Sequence, residues 1–518
     1  MDFISELNSI QNNPMLTPQN IIDDAEKDLD SRIANSIQGA LENLKTACES
    51  SKGVSLKDVS VKLHELGRAY SYNDQAQKAE RCYLTYLKLQ LVDSKNAPTK
   101  SVGEALYELA YLNDHYLQKS KKAEEFYTLY LDTMRKACKE DDEDLLYAIR
   151  RVAYFYDGEN EPLKALNLIN ELLAKREKIW PGDHPEVVEA LVDSGEFHER
   201  LHHWEEARLA YKKAIEMAHG IVQKSSSSNN VHLRSSRAML MEAYHCLGWL
   251  EYSLGEYQAQ RKAFADAQPP DVALFSTRED LPYWILVENF KGLGSAFLEL
   301  GEYESALKAF DACLREYSPE KSPCSRDIFI TLYQKAIVYE NIEDASNANR
   351  FYLKSLKQFE SNSMDKISRV HVEALSRYVL FLKAYPSYGS ADALIESIKD
   401  ILSEVQTRYP EEQDNDLALG LMALGVGYWR SHPQEALKYL KASSEMFECL
   451  LGERSTTERV MAEAYLALFL AEQQSEEAQQ HFQITKKLLD LHKAKTTVLG
   501  ATLKKLEEQC ASALSSVG

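Results

Sequence analysis

FKGLGSAFLELGEYESALKAFDACL, residues Phe290–Leu314, decides the fold. It reads as two amphipathic helices joined by a short turn, each carrying a small residue where its neighbour must come close. The next stretch, TLYQKAIVYENIEDASNANRFYLKSL (Thr331–Leu356), has the same form. So do LHELGRAY (Leu63–Tyr70) with QKAERCY, ALVDSGEFH (Ala190–His198) with WEEARLAYKKA, and EAYHCLGWLEYSLGEY (Glu242–Tyr257). One small residue per unit serves as an anchor: Gly67, Ala110, Ala153, Gly195, Gly248, Gly294, Ala336, a degenerate Tyr378, Gly425 and Ala467. The steps between them are 43, 43, 42, 53, 46, 42, 42, 47 and 42 residues. A second small residue follows: Ala79, Ala123, Ala165, Ala207, Ala306, Ala348, Ser390, Ala436 and Ala478, with Gln260 as the exception. Antiparallel helices approach to roughly 8–10 Å, and the facing positions there tolerate only Gly, Ala or Ser. Aromatics one turn away, such as Tyr70 and Tyr83, Phe297 and Phe310, or Tyr339 and Tyr352, fill the flanking space, which accounts structurally for much of the tyrosine count of 29.

Composition agrees with helices. The chain has 518 residues, 44% of them apolar, and only 20 Gly and 14 Pro, a low share of turn formers. With 60 basic and 80 acidic residues the formal charge is −20, which argues against a phosphate-backbone binder. The longest apolar run, Ala464–Ala471, is far short of the roughly 20 residues that span a bilayer. The start, MDFISELNSI, has no basic stretch followed by an apolar one, so no secretory signal is expected. The eight cysteines show no C-x-x-C pair and read as reduced core thiols of a cytoplasmic protein.

From about 57 to 492 the grammar resembles that of tetratricopeptide repeat proteins: Leu-Gly, an aromatic three residues on, then an aromatic, a small residue and a second aromatic in the next helix. The usual period is about 34; the longer step here adds about two turns per pair, for helices of roughly 18 residues and 27 Å. The segment ALNLINELLAKREKIWPGDHPEVVEAL (Ala165–Leu191) resembles the linker between repeats of kinesin light chains, and MFECLLGERSTTERVMAEAYLAL (Met446–Leu468) is a weaker echo. The resemblance implies an all-α, right-handed α-solenoid of about ten antiparallel helix pairs, a superhelix that captures peptides in its groove. The expected organisation is a flexible 1–20, one capping helix over 21–55, the solenoid over 56–492, and a capping helix and tail over 493–518. Within the solenoid a loop is expected at 223–232 and a degenerate repeat near 370–405. The segment 21–48 is too short for the dimerising coiled coil of a kinesin light chain.

Two chemistries can be weighed. His198-Glu199-Arg200-Leu201-His202 is a literal H-E-x-x-H, which on a continuous helix would hold zinc. The repeat register instead ends the helix there and puts His202 and His203 in the turn. No phosphate loop or nucleophile elbow is present, so neither catalysis nor a cofactor or metal is expected. The other chemistry is binding on the inner wall, formed by the first helix of each pair. Counting from the anchors, this wall presents His64 and Arg68, then Tyr107 and Tyr111, then Tyr147, Arg150 and Tyr154, with Val61, Glu104 and Arg151 beside them. Further along it presents Trp249 with Glu242 and His245, then Glu288, Lys291 and Ser295, then Ile330, Tyr333 and Ile337. An aromatic wall with arginines suits an extended acidic peptide with apolar anchors; alternatively the tyrosines pack against the neighbouring repeat. The Lys, Asn and Arg positions that clamp chaperone C-termini in related domains read His64, Arg68, Glu108, Tyr147 and Arg151 here, so no chaperone partner is expected. The expected function is a non-catalytic adaptor, with a peptide-responsive sensor as the alternative.

Overall fold

The computed structural model describes residues 10, 12–14, 16–27, 35–49, 56–225, 230–267, 283–316, 326–361, 369–408 and 413–517. Among these there are 23 α-helices and no strand. The chain divides into two compact units, Met1–Gly182 and Asp183–Gly518, within the expected Gly-Asp-His-Pro linker.

In the first unit, α1 (Pro18–Lys27) and α2 (Asn35–Glu49) precede three pairs. These are α3 (Leu56–Tyr72) with α4 (Ala76–Asp93), α5 (Lys100–His115) with α6 (Ser120–Ala137), and α7 (Glu143–Gly158) with α8 (Pro162–Ile179). In the second unit α9 (Pro185–Arg200) pairs with α10 (Trp204–Ser225), and α11 (Asn230–Ser253) with α12 (Tyr257–Asp266). Next come α13 (Tyr283–Glu299) with α14 (Tyr303–Glu316), and α15 (Arg326–Asn341) with α16 (Ala345–Ser361). The rest are α17 (Arg369–Ala384), α18 (Asp392–Arg408), α19 (Asn415–Tyr428), α20 (Pro433–Leu451), α21 (Thr457–Glu472), α22 (Ala478–Lys495) and α23 (Ala501–Val517). Starts are encoded locally. The Thr99 and Thr456 hydroxyls accept from the backbone N–H of Val102 and Arg459, and the Asp414 carboxylate from that of Leu417, each satisfying a donor the first turn leaves free. Pro162, Pro185 and Pro433 occupy first turns, where no N–H is needed.

The turn inside eight of the pairs is also repeated. Asp74, Gln118, Asn160, His202, Gly255, Gly301, Glu343 and Gln474 all have φ between 50° and 78°. Each ends a first helix in the left-handed conformation that closes its last carbonyls. Two of these eight are glycine.

The anchors work differently from the expected meeting of two small residues. A Cβ on Gly67, Gly195, Gly248 or Gly294 would lie 2.3–2.6 Å from a ring carbon of Tyr83, Tyr211, Phe264 or Phe310. Each ring stands one turn beyond the second marked position of its pair, Ala79, Ala207, Gln260 or Ala306, and all four are under 2% exposed. The missing side chain therefore makes room for an aromatic ring, and burying one such side chain stabilises by roughly 1.5–3 kcal/mol.

Within the segment 21–48 the described residues are helical on both sides, in α1 and α2, while residues 28–34, on which the reading as one helix depends, lie outside the described set, as do 226–229 of the serine run and 268–282. Helix α10 nevertheless continues to Ser225 and α11 resumes at Asn230. The capping helix expected within 493–518 starts at Ala501, because Thr496–Gly500 runs irregularly and the Thr497 N–H donates to the Leu300 carbonyl at 3.0 Å. The pair α17 and α18 is loose, and α17 packs chiefly on α19. Tyr378, at the anchor position, stacks on Tyr352 of the preceding pair at 5.1 Å and donates its hydroxyl to Asn349 at 2.8 Å.

Within the second unit, the chain after Leu450 also lies on the turns of the earlier pairs. The Trp204 indole donates to the Leu450 carbonyl at 3.3 Å, and the Lys495 amine binds Glu256 at 2.8 Å. The Thr457 hydroxyl donates to Glu299 at 2.6 Å, and the Thr502 hydroxyl to Glu340 at 3.0 Å. A Cβ on Gly255 would meet the Ser455 carbonyl at 2.4 Å. Burial, reinforced by the charge of Glu458, pushes the Glu299 carboxyl up to about 7. Glu458 itself is ion-paired with buried Arg377.

Candidate functional site

The tyrosines of the first unit fall into two sets. Those on second helices are core: Tyr83, Tyr127 and Tyr130 are all buried. Those on first helices, buried Tyr70 apart, keep a face in water, with Tyr72 71%, Tyr147 46% and Tyr154 38% exposed. Tyr107 and Tyr111 lie between the extremes. Tyr107 ties the helices together: its ring lies 5.4 Å from that of Tyr130 and 6.4 Å from that of Tyr147 on the next pair. Tyr111 stacks on His115 at 4.1 Å.

The charged residues are held by these rings. Arg68 donates to the Tyr72 hydroxyl at 3.1 Å, a bond that raises its pKa. Arg151 donates to the Tyr147 hydroxyl at 2.7 Å and sits 4.8 Å from its ring centre. The Arg150 guanidinium lies 5.4 Å from the Tyr154 ring. His64 stacks on Tyr86 and pairs with Glu108 at 2.8 Å, while the Tyr86 hydroxyl donates to Glu104 at 3.1 Å. The wall is therefore less basic than arginines alone suggest, because Glu104 and Glu108 stand among them. A cleft of about 60 Å³ opens beside Arg68, Tyr72, Glu108, Tyr111 and Tyr116.

The eighth expected residue, Trp249, belongs to the second unit. There it lines a cleft of about 300 Å³ with Lys291, Ile330 and Tyr333, all at positions counted from the anchors. Tyr252, Arg326, Gln334 and Glu373 complete the lining and were missed. Tyr252 was recoverable, since it lies three residues after Trp249 on the same helix face. Glu373 was not, because the degenerate Tyr378 unit hid its register.

The H-E-x-x-H residues do not adopt that motif's geometry. Helix α9 ends at Arg200 and His202 has φ 58°. His198 Nδ1 lies 3.4 Å from that of His203. Glu199 points into the helix pair, accepts from Tyr211 at 3.1 Å, and is pushed up to about 7 by burial.

No protein-family model matches the chain, and no curated protein does. Among solved structures it is similar to the apo form of the quorum sensor NprR from B. thuringiensis, with 15% identity and a TM-score of 0.46, over 74% of this chain and 98% of that one. It is also similar to aspartyl phosphate phosphatase F from Bacillus subtilis, with 11% identity and a TM-score of 0.44, over 83% and 96%. BtubC (BKLC) from P. vanneervenii gives 16% identity and a TM-score of 0.38, over 48% and 94%. The helix pairs are tetratricopeptide-like: the repeated antiparallel pairing, with a ring laid on the anchor glycine in four of the pairs, carries that statement. Among the described residues no helix is long and apolar enough to cross a membrane.

Proposed function

We propose that the chain is a non-catalytic adaptor that binds extended peptide segments of partner proteins on the inner wall of its first helices. The half-exposed tyrosines Tyr147 and Tyr154, each held beside an arginine on a rigid helix, carry this reading. Rings fixed in this way offer apolar area at little further entropy cost, and the arginines set the orientation of an acidic segment. His64, Arg68, Tyr107 and Tyr111 extend the surface across three pairs. The Gly182–Pro185 linker supports the kinesin-light-chain-like version, a cargo adaptor working in the cytoplasm, where the described cysteines would stay reduced.

The test is fluorescence polarisation with acidic 12-residue peptides carrying a central Trp or Leu, against wild type and Arg68→Glu/Arg150→Glu. Binding that weakens at least about ten-fold in the double variant, and also with added salt, is the expected result. Unchanged affinity overturns the reading.

The sensor reading is favoured by one feature: the contacts of the second unit after Leu450 sit on the turns of earlier pairs, and a ligand could shift them. Small-angle scattering with and without the bound peptide separates the two. A rigid adaptor leaves the profile unchanged.

A further inference from the structure

The 300 Å³ cleft of the second unit has a chemistry of its own. Trp249, Tyr252 and Tyr333 give it aromatic walls and Ile330 an aliphatic one. Its two basic residues are not equivalent. The Lys291 amine is buried and already taken, by Glu288 at 2.6 Å and Asp327 at 2.7 Å, and it covers Trp249 from 5.4 Å. Arg326 is exposed at the rim. Deeper in, Glu373 accepts the Tyr333 hydroxyl, and the buried Gln334 Oε1 has no hydrogen-bond partner.

The surrounding field is negative. Burial first, then Glu299, Glu458 and Glu373, raise the Tyr252 hydroxyl well above its ordinary value. Burial also raises the Glu373 carboxyl, with Glu458 adding to it and the Tyr333 hydroxyl, Arg377 and the rim Arg326 opposing. A carboxylate so placed gains most from a cation brought to it, and faces of Trp and Tyr attract cations as well.

We propose that this cleft takes the charged head of an arginine or lysine side chain from a bound peptide, its stem against Ile330 and the rings and its charge toward Glu373. The assignment shares with the adaptor reading only the peptide nature of the ligand. Its polarity is opposite to that of the first unit's wall.

The experiment is calorimetric titration of the full chain with acetylated, amidated Gly-Gly-Xaa-Gly-Gly, where Xaa is Arg, Lys, Leu or Glu, and with spermidine. The Arg and Lys peptides should bind at least about ten-fold more tightly than the Leu peptide, and the Glu peptide should give no signal. Glu373→Gln and Trp249→Leu, each checked for native helix content, should weaken the Arg peptide about ten-fold or more, while Arg68→Glu/Arg150→Glu should leave it unchanged. Glu peptide binding as tight as Arg, full affinity in either cleft variant, or no Arg binding at millimolar concentration overturns the proposal. Spermidine binding more tightly than the Arg peptide overturns its assignment to a side chain. Because the acidic-peptide test uses other residues and other ligands, either reading can fail alone.

Discussion

Adding one methyl group at Gly195 should damage the second unit more than its size suggests. Its Cβ would stand 2.3 Å from a ring carbon of Tyr211, so the ring must retreat by roughly 1 Å to reach ordinary contact distance. Overpacking of this kind costs ~1–3 kcal/mol. The same ring donates to Glu199 at 3.1 Å, and leaving that buried acceptor unpaired adds ~1–3 kcal/mol. Against this, Ala gains ~1 kcal/mol over Gly in a helix interior. Net destabilisation by Gly195→Ala is therefore ~1–5 kcal/mol, read as a shift in the urea midpoint followed by circular dichroism. The informative control is the double variant with Tyr211→Leu. If the methyl acts through the ring, the two losses are less than additive. Full additivity, or a Gly195→Ala protein as stable as wild type, would refute the ring-on-glycine account.

The second unit should lose stability as pH rises from 6.5 to 8. Burial pushes the carboxyls of Glu196, Glu199 and Glu299 up to about 7, so their contribution is complete below about pH 4.5 and lost as pH rises through 7. His245 and His492, lowered to about 4 by burial, act the other way, but only below about pH 6.5; a melting temperature that is flat or rising from 6.5 to 8 contradicts this. Glu299→Gln should flatten the decline in the same melting series. Tyr147→Ala, on a ring 46% exposed, should change stability by less than about 1 kcal/mol yet weaken acidic peptides about ten-fold by fluorescence polarisation. Tyr378→Ala restores a small anchor but removes a buried stacked ring, so denaturant titration should show a loss of ~3–5 kcal/mol.

The helix pairs were legible because the small anchors and their aromatic partners recur at a fixed distance, and Gly294 with Phe310 shows both in one glance. What was misread is the reason: spacing alone cannot tell backbone approach from a ring laid on a glycine. The left-handed turn residue went unseen because Asp74, Gln118, Asn160, His202, Glu343 and Gln474 fill it without glycine, and only the whole set reveals it. On the wall, the arginines and tyrosines stand out in the sequence. That Tyr86 takes Glu104 and His64 takes Glu108 depends on which rotamer reaches which neighbour. The contacts made after Leu450 were not legible, since no local pattern records a bond between Thr497 and Leu300.

Those contacts bear on how the second unit can change over time. A simple linear array tolerates the gain or loss of a unit, because each element answers only to its neighbours. Here Trp204 must meet Leu450, Glu256 must meet Lys495, and Glu340 must meet Thr502. Inserting or deleting one helix pair between Glu340 and Leu450 would put every one of these matches out of phase at once. The number of pairs in that interval is therefore fixed by geometry, and loops of this length must close before the contacts reward them, which slows folding.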